Sequence, residues 1–218
     1  MTPAELLSQF RDEMSDTETP YLWGDTLVFG YIDDAQNQFC RATDGIPDAS
    51  SALTTLSIVP PTEWYDLSPK IIKLRSAYRT DTGRPVPTYN QEKMAERAMF
   101  FDGRSGPLNA IIIGMEDAKV RVWPVPDETV TVKLTVFRYP LVTISDANAD
   151  TELEIQPQHH AHLLMWVKYR AYMKQDAETF NRTKADEFKA AFDAYCAQVK
   201  EEQRRARLVP RSVAYGGL

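Results

Sequence analysis

Two cysteines in 218 residues are too few to staple a fold. Cys40 and Cys196 each fall in a stretch of helical periodicity, so both read as small buried residues of a reducing compartment. No bridge between them is expected. No window approaches roughly eighteen uncharged apolar residues, so no segment suits a membrane-spanning helix. The opening residues, MTPAELLSQFRDEMSD, have neither a basic start nor an apolar run and are not read as a secretory signal. The formal sequon at Asn181 therefore carries no expectation of a glycan. Basic residues are in deficit, 25 Lys and Arg against 31 Asp and Glu. A net charge of −6 argues against a broad basic face that grips nucleic acid.

Catalytic signatures are missing too. GxGxxG, GxxxxGK[ST], GxSxG and HExxH do not occur, and Tyr215-Gly216-Gly217 matches no recognised chemistry. Asp81-Thr82-Gly83 matches the triplet of aspartic proteases, but that chemistry needs two carboxylates sharing a proton. There is no second copy, and the triplet is read as a turn. The acid pairs Asp12-Glu13 and Asp33-Asp34 are adjacent on helices, so neither pair converges on one point, and both are read as solvated faces. His159, His160 and His162 are the only histidines. His159 and His162 are spaced to share a metal on one helix face, with Glu152, Glu154 or a distant residue as further ligands. The preferred reading is an exposed first helical turn. No enzyme, cofactor or metal site is expected.

What is present is periodicity. At 43% hydrophobic and 26% charged residues, the composition excludes a largely disordered chain. A chain of this length can bury roughly 70% of its unfolded surface. Residues 3–14 predict a helix with Leu6, Leu7 and Phe10 on one side, and Asp25 is positioned to cap a second that carries Val28, Ile32, Ala35 and Phe39. Gly45 and Pro47 end it. From about Ser50 the period shortens. LTTLSIV, then PKIIKLRSAY with Ile72, Leu74, Ser76 and Tyr78 on one side, read as strands, with a short helix at QEKMAERA. LNAIIIGM follows, then KVRVWPVP and ETVTVKLTVFRYP, which predict an antiparallel pair around a Pro-Val-Pro turn. Two helices resume after the polar linker at 145–152. The first begins at Pro157 and carries Leu163, Leu164, Val167 and Ala171. The second runs from about Ala177 to Leu208 with a seam of Phe188, Phe192, Tyr195 and Val199.

The expected fold is α+β. The N- and C-terminal segments form a helical bundle around an antiparallel, β-sandwich-like insertion, with an extended C-terminal arm. The expected boundaries are 1–48 for the N-terminal helices, 49–146 for the β-rich insertion, 147–207 for the C-terminal helices and 208–218 for the arm.

Three stretches resemble the head-to-tail adaptor (connector) proteins of tailed bacteriophages, in particular those of short-tailed phages. LLSQFRDEMSDTETPYLWGDTLVFGYIDDAQNQFCRATDGIPD is similar to the family's opening helix pair. AKVRVWPVPDETVTVKLTVFRYPL is similar to its closing hairpin, and IQPQHHAHLLMWVKYRAYMKQDAETFNRTKADEFKAAFDAYCAQVK to its bundle helices. The resemblance implies a non-enzymatic virion protein of the neck, made in the host cytoplasm. It implies a homo-oligomeric ring, a dodecamer, docked under the portal protein and bound by tail or nozzle proteins. DNA would pass through the centre without specific binding, and an acidic channel wall would repel its phosphates.

From Arg204 to Arg211 there are four arginines and no acid. With Arg204, Arg205, Arg207, Arg211 and Tyr215, the helix end and tail are the expected portal-docking arm, ordered on meeting its partner. Other readings stay open. One is a different neck or tail part, such as a stopper or tail-tube ring. Another is a ligand-binding β-module using Trp64, Tyr65, Tyr89 and Trp123. A third is a DNA-binding regulator using Arg204–Arg211.

Overall fold

The computed structural model describes residues 1–96, 104–176 and 178–207. In chain order these form α1 (Pro3–Met14), α2 (Asp25–Ala42), β1 (Ile46–Asp48), β2 (Thr55–Ile58), β3 (Trp64–Asp66), β4 (Ile71–Arg79), β5 (Pro85–Val86) and β6 (Thr88–Asn90). There follow α3 (Gln91–Glu96), β7 (Ala110–Ile113), β8 (Lys119–Trp123), β9 (Val130–Arg138), α4 (His160–Tyr172) and α5 (Arg182–Ala206). The fold is α+β. By contact the chain divides into a helical unit, Met1–Asp44 with the chain from Pro140 onward, and a β unit, Gly45–Tyr139.

In the helical unit, α1 opens on a reciprocal cap: Glu5 N donates to Thr2 Oγ1 at 3.2 Å, and Thr2 N to Glu5 Oε2 at 2.9 Å. α2 departs from expectation. Its cap is Gly24, which has no side chain to offer, and Asp25 is the first helical residue. The Asp25 carboxylate is drawn instead to Arg11, a buried guanidinium that also donates to Asp16 Oδ2 at 2.7 Å and to the Trp23 carbonyl at 3.0 Å. A buried cation left without partners is costly, so its neutralisation outranks a cap.

The α4 side chains Leu163, Leu164, Val167 and Ala171 are buried as their spacing predicts, and α4 packs on α1, α2 and α5. In α5 the start and the seam both shift. Asn181 caps the helix by accepting from Lys184 N at 3.1 Å, so it begins at Arg182. The buried line is Ala185, Phe192, Cys196 and Val199. Phe188 and Tyr195 flank it because their rings reach sideways: Phe188 stacks on Tyr172 at 5.9 Å and Tyr195 on His162 at 3.8 Å.

Three residues of the acid pairs are tethers, not solvated faces. Asp34 Oδ2 accepts from Trp166 Nε1 at 2.7 Å and from Arg170 Nη1 at 2.6 Å. Asp33 Oδ1 accepts from Ile144 N at 2.9 Å, and Glu13 pairs with Lys168. Each sits where a helix neighbour or the returning chain presents a donor.

In the β unit, one sheet has the order β1-β9-β4-β5, with β2 also on β9, and the other β3-β8-β7-β6. Their inner faces share one core, in which Val120 and Val122 meet Val130, Val132, Leu134 and Val136. Those strands therefore face each other across the core instead of forming the expected hairpin. Pro124 and Pro126 have no N–H to continue a ladder, so the connector carries the chain from one sheet to the other. One pair, β6 with β7, is parallel. The expected face of β4 is also wrong. Register shifts between Ile71 and Lys73 and between Leu74 and Ser76 turn the strand, so Leu74 and Ala77 are buried while Ile72 and Tyr78 are 37% and 42% exposed.

This geometry predicts unequal costs along β4. Leu74→Ala should lower the unfolding free energy in urea by about 2–5 kcal/mol, whereas Tyr78→Ser should change it by about 0.5 kcal/mol or less. Similar losses for the two would contradict the assigned face.

Candidate functional site

Beyond Val199 no described residue of α5 is buried, yet the helix continues for two turns. Those turns are held by charge. Glu201 accepts from Arg204 Nε at 2.7 Å and from Arg205 Nε at 3.0 Å, helical steps of three and four residues. The Arg204 hydrogen bond, followed by the Arg205 one, lowers the Glu201 carboxyl to about 2. Arg207 pairs with Asp44, just past the end of α2, and Gln203 Oε1 accepts from Asp44 N at 3.3 Å. The three arginines therefore do not form a bare basic end, and the last turn of α5 is moored to the end of α2. Arg211 and Tyr215 lie outside the described residues. Glu201, Gln203 and Asp44 were not singled out from sequence. The i, i+3 and i, i+4 rule could have supplied Glu201, whereas nothing local points to Asp44.

One and a half turns earlier, α5 meets the histidines. They do not form an exposed turn: His159 is 6% exposed and His160 is fully buried. His159 Nδ1 shares a hydrogen bond with Tyr195 Oη at 2.8 Å, and its ring lies 4.9 Å from Phe39, so it joins α2, α4 and α5. His160 Nε2 donates to the Ile155 carbonyl at 2.6 Å, while its Nδ1 lies 2.8 Å from the Met1 nitrogen. The rings turn to separate partners because burial obliges each polar nitrogen to find one. Among the described residues no group of three or more His, Cys, Asp or Glu is placed to hold a metal. Cys40 and Cys196 are buried and not joined in a disulfide, and burial pushes the Cys196 thiol up to about 12.

The aromatics needed for a ligand-binding module are dispersed. Trp123 lines an open cleft of about 590 Å³ with Arg84, Pro85, Pro87, Pro107 and Pro124, and Trp64, Tyr65 and Tyr89 do not. The Trp64 ring lies under the Arg121 guanidinium at 5.8 Å, and Tyr65 Oη donates to the Val59 carbonyl at 2.9 Å. Asp81, the protease-like acid, is exposed in a turn and clamped by Arg79. Charge is unequally divided: the helical unit has 13 basic residues against 20 acids, the β unit 12 against 11.

Among the described residues the site is thus a moored helix end with no metal-ligand cluster. A family model described as "SU10 adaptor protein" matches residues 1–214. The chain belongs to the SU10 adaptor protein family. That makes it a bacteriophage adaptor, a structural kind of protein and not a catalytic one. No curated protein matches the chain. Among the described residues of the adaptor, no helix is long and apolar enough to cross a membrane.

Burial of His159 and His160 predicts a fold that weakens in acid. Burial, with the neighbouring His162 next, lowers the His159 pKa, and burial lowers that of His160. Both groups bind protons less readily folded than unfolded, so their contribution is full above about pH 6.5 and declines as pH falls below it. The melting temperature should fall between pH 7 and pH 5, and His159→Gln, which keeps a partner for Tyr195, should flatten that decline. An unchanged slope in the variant would contradict this assignment.

Proposed function

We propose that the chain forms the head-to-tail adaptor ring of a short-tailed phage, docked beneath the portal and bound on its other side by tail or nozzle proteins. The ring is a dodecamer of side-by-side, head-to-tail contacts, the kind that close when the rotation between copies is fixed. DNA passes through it without sequence-specific binding, and the assembly occupies the neck of the virion. The subunit enters from the host cytoplasm, where it is made. The observation that supports this most is that the family match runs through residue 214 and so includes most of the residues assigned to the arm.

The portal-docking arm comprises Arg204, Arg205, Arg207, Arg211 and Tyr215, divided by role. Arg207 with Asp44, and Arg204 and Arg205 with Glu201, hold the base of the arm at the end of α2. The residues beyond supply the contact. A moored base reduces the ordering cost of docking, because the arm leaves the subunit from a defined point. The boundaries 1–48, 49–146, 147–207 and 208–218 then describe parts: N-terminal bundle helices, β-rich insertion, C-terminal bundle helices and arm.

Two variants separate base from arm. Arg207→Ala removes a partly exposed pair and should cost about 1 kcal/mol or less in stability. Deleting residues 208–218 should leave a folded protein whose co-sedimentation with portal rings drops by about tenfold or more, the equivalent of about 1.4 kcal/mol. Unchanged portal affinity of the truncated chain would overturn the arm assignment.

A further inference from the structure

The outward face of the five-stranded sheet is chemically unlike the rest of the protein. Register places Thr55, Lys133 and Tyr78 in one row across β2, β9 and β4. The next rows hold Ser57 with Thr131 on one side, and Thr135 with Ser76 on the other. Lys73 stands opposite Phe137, and Arg75 is exposed at the irregularity between Leu74 and Ser76. No residue of this face is acidic. Among the described residues the side chains of Lys73 and Arg75 have no hydrogen-bond or ion-pair partner, and Lys133 Nζ donates to Thr55 Oγ1 at 3.0 Å. Of the acids in the flanking segments, Asp81 and Glu128 pair with Arg79 and Asp48 pairs with Arg138. In a chain of net charge −6, three cations left without carboxylates on one hydroxyl-bearing face call for an anionic partner.

We infer that this face contacts the phosphate backbone of duplex DNA, weakly and without reading sequence. Lysine, arginine, serine, threonine and tyrosine are the side chains that bind phosphate and sugar oxygens, and all five types are present here. A protein partner is a poorer fit, since interface cores are depleted in Lys and Ser and anchored by buried aromatics. A single strand fits poorly as well, because its unstacked bases need several aromatic platforms and Tyr78 is alone. Lys133 and Lys73 are separated by about four residues of strand, about 13 Å. That length spans roughly four phosphates of one strand along a duplex axis. The inference deepens the adaptor reading, which supplies the duplex, but the surface can be tested on the isolated chain.

Three phosphate contacts give a slope of about −2.7 in log affinity against log salt. Fluorescence anisotropy of a labelled duplex of about 30 base pairs should show weak binding near 20 mM salt that falls about 200-fold by 150 mM. The triple variant Lys73→Gln/Arg75→Gln/Lys133→Gln should lose about tenfold or more at low salt, with the slope moving towards zero. The control Lys184→Gln/Lys189→Gln/Lys200→Gln on α5 makes the same change in net charge and should bind within about threefold of the unmodified chain. Circular dichroism should show both variants folded. No binding by the unmodified chain near 20 mM salt, or equal loss in the two triple variants, would overturn the inference. So would a face variant that binds duplex normally but fails to join portal rings, which would mark the face as a protein contact. A face variant that loses duplex yet still joins portals supports it. An unmodified chain that binds duplex but never joins portals would sink the adaptor reading and leave this surface standing.

Discussion

A helix of thirteen residues has little stability alone in water, and α4 is stable here because three other helices bury its apolar face. Leu163, Leu164, Val167 and Ala171 take their partners from α1 and α2 at one end of the chain and from α5 at the other. The polar links follow the same plan. Trp166 and Arg170 reach Asp34, Lys168 reaches Glu13, and Trp23 Nε1 donates to the Ala171 carbonyl. The helical unit therefore cannot be completed until the chain has passed through the β unit and returned. In such a topology the last helix both closes the helical unit and leads to the remaining residues of the chain.

That double role explains the outer end of α5. Burial stabilises the helix as far as Val199, and beyond it the apolar contribution stops. Glu201 and Asp44 take over, holding three arginines in place with pairs that are individually weak but local. The last turns of α5 are thus held by local pairs and not by burial. The β unit contributes something different. Its acids and bases are nearly balanced while the helical unit carries the acidic excess, so the two units present different surfaces to an approaching polyanion.

Much of this was legible in the chain wherever a single face decides burial. The three- and four-residue steps of α4 and the alternation of β9 were read correctly because each buries one stripe or one side. The reading failed where geometry departs from a regular period. In β4 two irregularities exchange the faces, so Tyr78 is outward where alternation placed it with Leu74. In α5 the aromatics attract the eye, but Ala185 and Cys196 share the seam with Phe192 and Val199, while Phe188 and Tyr195 flank it. The prolines after Trp123 were read as a turn, and they are a crossing between sheets. A position at a helix start says nothing about the α5 residue, Tyr195, that meets His159 and His162. The mooring of the end of α5 depends on Asp44 and Arg207, which only the folded chain brings together.

Electron microscopy of the protein mixed with portal rings tests the adaptor account most directly. It predicts portals carrying one added layer with the portal's rotational symmetry, in which density for the segment after Ala206 lies against the portal. Bare portals in the presence of excess folded protein would contradict it.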